Sequence, residues 1–366
     1  MKAKYRVGVI GHTGRGNYGH GLDTVWLHLP EVEIVAVADA DEGGRAAAAK
    51  RLNAPKAFAD YRKLLDEAKP DIVSISQRWL DQHCDMVLAA AERGIHIYME
   101  KPMCRTLEEA DRMVAACEQH NVKLAIAHQT RYTPKIQVIR DLIFDGKIGK
   151  LLELRGRGKE DQRGGGEDLW VLGSHVMNLM HTFGGEPNWC FASVEQDGKP
   201  VTKEHVRDGN EGIGPLAGDT VGAMYGMPDG VTAYFGSHRA AGGSPSRFGL
   251  QMFGSKGVIE LLTGYLPGAY FLPDPSWSPG RTGAKWIPIS SAGAGKPEPL
   301  EGANHTGNVV ACRDLIAAIE QDRLPECNIH EGRMTVEMIA SVFESHRTGG
   351  PVKIPLATRK NPLLLM

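Results

Sequence analysis

Tyr5-Arg6-Val7-Gly8-Val9-Ile10-Gly11-His12-Thr13-Gly14-Arg15-Gly16-Asn17-Tyr18-Gly19 decides the fold of this 366-residue chain. Its first six residues read as a short buried strand, and the glycines that follow let the backbone turn tightly. Further along, the first third alternates apolar runs with helical patterns. Strands are expected over 33–38, 71–76, 95–99 and 122–126, and helices over 20–29, 45–52, 82–93 and 107–120. Thr106 and Glu109 make a capping box for the last of these helices. Strand–helix alternation at this spacing predicts a parallel, doubly wound sheet, a Rossmann-type domain over 1–126.

The texture changes after residue 126. A helix over 135–144 precedes a strand over 150–155, and from Trp189 onward strands and turns dominate. The runs 221–225 and 231–235 flank Pro228-Asp229-Gly230 as a hairpin. The runs 250–253 and 258–261 flank Gly254-Ser255-Lys256-Gly257 as another. Residues 267–299, rich in Pro, Gly and Ser, read as a long surface loop. Helices return over 309–321 and 331–346. Residues 127–366 are therefore expected to form a second, α+β domain on a mainly antiparallel sheet.

Bulk properties narrow the function. A formal net charge of −2 gives no basic footprint for nucleic acid or an anionic membrane. The six cysteines contain no Cys-x-x-Cys pair, which argues against a zinc site or other metal centre and against a disulfide framework. Reduced thiols, no run of about 18 apolar residues, and an apolar stretch behind the basic Met1-Lys2-Ala3-Lys4-Tyr5-Arg6 too short for a signal peptide predict a cytoplasmic protein.

A glycine-rich turn between a strand and a helix lets backbone approach a pyrophosphate, with the helix N-terminus facing the charge. Gly11, His12, Thr13, Gly14 and Gly16 are the candidate contacts. The G-x-G-x-x-G spacing reads cleanly only as Gly14, Gly16, Gly19, so the loop is longer than usual. Asp39 closes the second strand at the distance expected of a ribose-binding acid, where a carboxylate repels a 2′-phosphate. NAD is therefore expected rather than NADP.

Glu100-Lys101-Pro102 follows the run Gly94-Ile95-His96-Ile97-Tyr98-Met99. With the loop, with Gly173-Ser174-His175 in the second domain, and with Arg347-Thr348-Gly349-Gly350-Pro351-Val352, it makes the chain resemble the Gfo/Idh/MocA oxidoreductases over almost its whole length. The resemblance implies a Rossmann domain and a C-terminal domain with a large open sheet, often a homodimer or homotetramer interface. It implies hydride transfer between nicotinamide and a hydroxyl carbon of a sugar, sugar derivative or cyclitol. Lys101 is placed beside the nicotinamide as a catalytic residue, and Glu100 beside its ribose. Gln77 falls where relatives contact cofactor. His175 matches the family's general acid/base, but Val171 stands where an aspartate is usual. Asp168, Trp170 and Asn178 are then candidate substrate contacts, as are His128 and Arg131 at the entry to the second domain. Gly164-Gly165-Gly166 reads as a flexible lid. Two other readings stay open: an NAD-retaining lyase or hydrolase using transient oxidation, and a non-catalytic nucleotide or sugar sensor.

Overall fold

The structure is a computed structural model that describes residues 4–302 and 305–366, so Met1-Lys2-Ala3 lie outside it. The chain packs as two compact units. The first takes residues 4–128, Asn210–Gly214 and His305–Val336. The second takes Gln129–Gly209, 215–302 and 337–366.

In the first unit the strands are β1 (Tyr5–Ile10), β2 (Val32–Ala38), β3 (Ala57–Phe58), β4 (Ile72–Ile75), β5 (His96–Met99) and β6 (Leu124–Ile126). They form one parallel sheet in the order β3-β2-β1-β4-β5-β6, reversing beside β1. The central strands are buried on both faces, which is why they read as continuous apolar runs. Helices α1 (Glu42–Leu52), α2 (Tyr61–Ala68), α3 (His83–Ala91) and α4 (Leu107–Gln119) cover the faces. Asp41, Asp60 and Thr106 cap α1, α2 and α4 through their side-chain oxygens. Glu109 does not close the expected box; it accepts from the Arg105 N–H at 2.9 Å instead. At Gly8 in β1 a Cβ would lie 2.6 Å from Leu64, so α2 rests directly on the strand.

The helix expected over 20–29 is absent. Only a 3₁₀ turn, Thr24–His28, links β1 to β2. Gly19 and Gly21 both have positive φ, a backbone that cannot continue an α-helix. The chain also re-enters this unit late. Ile126 N–H donates to the Cys327 carbonyl at 2.9 Å, and the Tyr98 hydroxyl to Asn308 Oδ1 at 2.8 Å. A single cut after residue 126 does not describe that return.

The second unit holds α5 (Lys135–Phe144), β7 (Leu151–Arg157), α6 (Gly166–Val171), α7 (Gly173–Gly184) and β8 (Trp189–Gln196). Its eleven-stranded sheet is antiparallel except where β7 pairs with Thr232–His238. Both expected hairpins are present, Thr220–Gly226 with Thr232–His238 and Gly249–Gly254 with Val258–Leu262. The surface loop expected over 267–299 instead adds the strands Ala269–Leu272, Ile287–Ser290 and Gly293–Ala294. Ala269-Tyr270-Phe271-Leu272 pairs along Val258–Leu262, and Trp277 Nε1 donates to the Gly254 carbonyl at 2.7 Å.

Helix α7 lies across β7 at Gly156, where a Cβ would come within 2.4 Å of Val176 Cγ1 and 2.7 Å of Met180 Cε. That approach exists only because residue 156 lacks a side chain. Gly156→Val should lower stability by about 1–3 kcal/mol, the range for overpacking a well-filled contact. Urea unfolding followed by circular dichroism measures it, and an unchanged midpoint would contradict the packing.

Candidate active site

Strand β5 ends where the sheet presents its C-terminal edge, and there the chain places Glu100 and Lys101. Glu100 is 1% exposed and Lys101 6% exposed. A buried carboxylate must find donors. Glu100 Oε1 accepts from the His20 N–H at 2.8 Å and lies 2.6 Å from His20 Nδ1, while Oε2 accepts from the Lys101 N–H at 3.0 Å. Burial pushes the Glu100 pKa up. The hydrogen bonds from His20 and the positive charges of His20 and Lys101 outweigh it and hold the group below the usual glutamate range. A Cβ on Gly19 would strike Glu100 Oε1 at 2.6 Å and the Ser76 carbonyl at 2.4 Å, so this glycine is fixed by the carboxylate. Asn308 Nδ2 donates to the His20 carbonyl at 3.0 Å and steadies the partner. The Lys101–Pro102 peptide bond is cis.

The glycine loop is a tight bridge in which His12 and Asn17 exchange backbone hydrogen bonds at 2.9 and 3.0 Å. No α-helix follows it, so the expected helix N-terminus is not what a pyrophosphate would meet. The glycines answer to the protein's own close approaches. A Cβ at Gly16 would lie 2.7 Å from the Arg78 backbone nitrogen, and one at Gly11 would lie 2.2 Å from Tyr18 Cε1. Gly14 alone in this loop faces open space. Asp39 is 1% exposed and accepts from the Thr13 N–H, the Thr13 hydroxyl, the Tyr18 hydroxyl and the Asp41 N–H.

A cleft of about 180 Å³ opens at the C-terminal ends of β1 and β2, lined by Gly11, His12, Asp39, Ala40, Tyr61 and Gln82 among others. This is the crevice beside the point where the strand order reverses, the place open α/β sheets bind nucleotides. Gln77, fully buried after β4, has an Oε1 with no protein partner. A vacant acceptor and a crevice at the switch point fit a dinucleotide. Gly11, His12 and Asp39 share the crevice. Thr13 and Gly16 belong to the same loop, and Gln77, Glu100 and Lys101 follow β4 and β5.

In the second unit α7 carries His175, and its ring meets Phe248 edge-on at 6.5 Å between centroids. Val176 and Met180 face the sheet. At 100° per residue Ser174 and Asn178 lie on the opposite side, with His175 and Thr182 beside them. Ser174 Oγ, both amide atoms of Asn178, and Trp170 Nε1 on α6 are buried without a protein hydrogen-bond partner. Groups left so cost about 1–3 kcal/mol each until something pairs with them. Arg131 is also buried, and its guanidinium meets the Thr182 hydroxyl. His128 belongs to the first unit, with its N–H on the Ile126 carbonyl at 2.8 Å.

Asp168 does not join this polar face. It is fully buried, and its carboxylate accepts from the Ser237 hydroxyl at 2.5 Å and from the backbone N–H groups of Glu160 at 3.1 Å and Lys159 at 3.3 Å. Burial raises its pKa, with Ser237 and the two N–H groups pulling the other way. It ties α6 to the sheet, and nothing in its placement replaces the acid missing at Val171. The flexible lid is also overturned. A Cβ on Gly164 would strike the Arg239 Cα at 2.2 Å, on Gly165 the Asp219 backbone at 2.4 Å, and on Gly166 the Ala217 carbonyl at 2.2 Å. These glycines permit dense packing. Tyr18, His20, Ser174 and Phe248 were missed by the sequence reading. Of these only Ser174 carried a signal, its four-residue spacing from Asn178.

The family model GFO_IDH_MocA, an oxidoreductase family with an NAD-binding Rossmann fold, matches residues 5–128, and its C-terminal α/β domain matches 140–354. Levoglucosan dehydrogenase of Pseudarthrobacter phenanthrenivorans is 26% identical over 255 residues, 63% of this chain and 65% of that one. The match therefore spans just under two thirds of that relative's length. Myo-inositol 2-dehydrogenase of Thermotoga maritima is 24% identical over 259 residues, 69% of this chain and 74% of that one. The solved structure of levoglucosan dehydrogenase with NADH and levoglucosan superposes with a TM-score of 0.77 at 21% identity, covering 96% of this chain and 100% of that one, a likeness of fold.

A glutamate held below its ordinary value adds stability that is full above the unfolded-state value of about 4.3 and is lost as pH falls through the folded value. Glu100→Gln should therefore lower the melting temperature at pH 7 and flatten its decline below about pH 5. Thermal melts from pH 3 to 8 check this; parallel curves for the two proteins would refute it.

Proposed function

The chain belongs to the GFO_IDH_MocA oxidoreductase family, and from that premise we propose an NAD-dependent enzyme that transfers a hydride between nicotinamide and a hydroxyl carbon of a sugar, sugar derivative or cyclitol. The observation that carries it is a lysine, Lys101, almost wholly buried at the C-terminal edge of the Rossmann sheet beside an ionised Glu100. Oxidising an alcohol removes a hydride from carbon and a proton from oxygen. NAD, when bound, supplies the hydride acceptor. Gly11, His12, Thr13, Gly14, Gly16, Gln77, Glu100 and Lys101 are the residues we assign to hold it, and Asp39 is assigned to the same cofactor site, its negative charge disfavouring a 2′-phosphate.

Lys101 Nζ, as the neutral amine, takes the hydroxyl proton in oxidation and, as the ammonium, returns it in reduction. Glu100, itself fixed by His20, holds the backbone at Lys101. His175 is the second proton-handling group. Trp170, Ser174 and Asn178 offer two donor groups, a hydroxyl and an amide carbonyl in a buried setting, a pattern suited to a ligand dense in hydroxyls. Arg131 and His128 are assigned to the same substrate. Such a site rejects molecules lacking those hydroxyls, because its own polar groups would stay unpaired.

Two coarser features complete the proposal. One face of the large sheet carries Phe191, Tyr234 and Tyr270 part-exposed, with Tyr234 also lining a hollow of about 390 Å³, and we assign that face to a second copy of the chain in a homodimer or homotetramer. Six free, buried cysteines suit a reducing, cytoplasmic setting, and no helix among the described residues is long and apolar enough to cross a membrane.

A panel of aldoses, anhydrosugars and cyclitols with NAD and NADP, read by absorbance at the reduced nicotinamide band, should find substrates that reduce NAD. Lys101→Ala should cut turnover by about 10²–10⁴-fold while NADH still binds. Full turnover in that variant would overturn the assignment. Asn178→Leu should lower kcat/KM by roughly tenfold or more, mainly through KM.

A further inference from the structure

The loop between β1 and the 3₁₀ turn has no α-helix behind it, so something else must hold its shape. Asp39 does. An ionised carboxylate offers about four lone-pair sites, and four donors already fill them. Oδ1 takes the Asp41 N–H at 3.0 Å. Oδ2 takes the Thr13 hydroxyl at 2.7 Å and the Tyr18 hydroxyl at 2.9 Å. The Thr13 N–H is shared between both oxygens at 3.1 Å.

Both hydroxyl-bearing side chains are seated independently of these bonds. The Tyr18 ring lies against bare Gly11 on one side. The Arg51 guanidinium sits 4.9 Å from its centroid, and Arg51 is itself paired with Asp23 at 2.6 Å. Thr13 rests on α1 at Gly44, where a Cβ would come within 1.9 Å of its Oγ1. Burial and the Asp39 charge keep the Tyr18 phenol above its usual pKa, so it remains a donor across the working range. A ribose diol meeting the Asp39 carboxylate would have to compete with both of these hydroxyls for its acceptor positions.

We propose that Thr13 and Tyr18 are positioning residues of the dinucleotide site. Their hydroxyls occupy the acceptor positions on Asp39 that an adenosine ribose would otherwise take, so that Asp39 shapes the loop instead of reading the ribose. This rests on the NAD reading above and deepens it. The carboxylate still repels a 2′-phosphate through its charge, but affinity for the nucleotide comes through the loop it clamps.

The test is a binding titration of the full chain with NADH and NADPH, followed by tryptophan fluorescence, with a circular dichroism melt to verify folding. Tyr18→Phe keeps the ring, its packing and the Asp39 charge, and removes one hydroxyl. It should weaken NADH and NADPH by the same factor, about five- to tenfold, leaving their ratio unchanged. Thr13→Val should do likewise, and Thr13→Ser, which keeps a hydroxyl, should restore wild-type affinity. Tighter or unchanged NADH binding in Tyr18→Phe would mean that a ribose hydroxyl takes the vacated acceptor, and would overturn the proposal. Should Tyr18→Phe fail to fold, the Thr13 pair decides by the same criterion. An unsubstituted chain that binds neither nucleotide sinks the cofactor reading itself, and the clamp with it, before any variant is made.

Discussion

Two carboxylates buried at the C-terminal ends of β2 and β5 must be supplied with donors, and both draw most of them from one short stretch, residues 13–20. A charge taken out of water without partners is prohibitive, so this demand dictates the loop. Tyr18 and Thr13 reach Asp39; His20 reaches Glu100 with both its N–H and its ring. Between them Gly19 turns with φ +61°, because any Cβ there would occupy the space of the Glu100 side chain. One loop thus sets the crevice wall at one end and the backbone of Lys101 at the other.

The second unit solves a different problem. Its helix α7 must lie close to a sheet while leaving one side polar. Gly156 grants the close approach, and Val176 and Met180 fill it. The opposite side is then free to carry Ser174, His175 and Asn178. Asp168 and Ser237 lock α6 beside it, and Glu160, fully buried, accepts from Arg247 Nε at 2.7 Å and from the His238 N–H at 3.0 Å. Those bonds knit the segment around 160 to the segment that ends in Phe248. The ring beside His175 is therefore placed by ionic and backbone contacts some distance from it in sequence.

Much of this was legible in the residues. The parallel sheet followed from strand–helix alternation, and the hairpins from Pro228-Asp229-Gly230 and Gly254-Ser255-Lys256-Gly257. What failed did so for physical reasons. The run 20–29 has an apolar pattern, but glycines at 19 and 21 need positive φ, and only a 3₁₀ turn remains. Gly164-Gly165-Gly166 reads as flexibility, yet glycine also serves where two backbones touch. Strand Ala269–Leu272 lay hidden among prolines because four residues give too short a period to register. Asp168 was legible as an acid near His175. Its engagement by Ser237, 69 residues away, was not, because the pairing of the sheet brings them together.

Losing the helix after the first strand does not move the nucleotide site. Position in an open α/β sheet is set by where the strand order reverses, and β3-β2-β1-β4-β5-β6 reverses beside β1 whatever follows it. The helix ordinarily contributes something separable, a rigid loop and a positive dipole end. Here rigidity comes from the Asp39 clamp, and the loop is braced further by its neighbour after β4. Arg15 pairs with Asp81 and stacks on Trp79 at 4.5 Å, and His12 Nδ1 lies 3.2 Å from Gln82 Oε1. Side-chain bonds can be removed one hydroxyl at a time, as a helix cannot. The strand order thus says where the dinucleotide goes, and the residues that grip Asp39 say how firmly the loop can meet it.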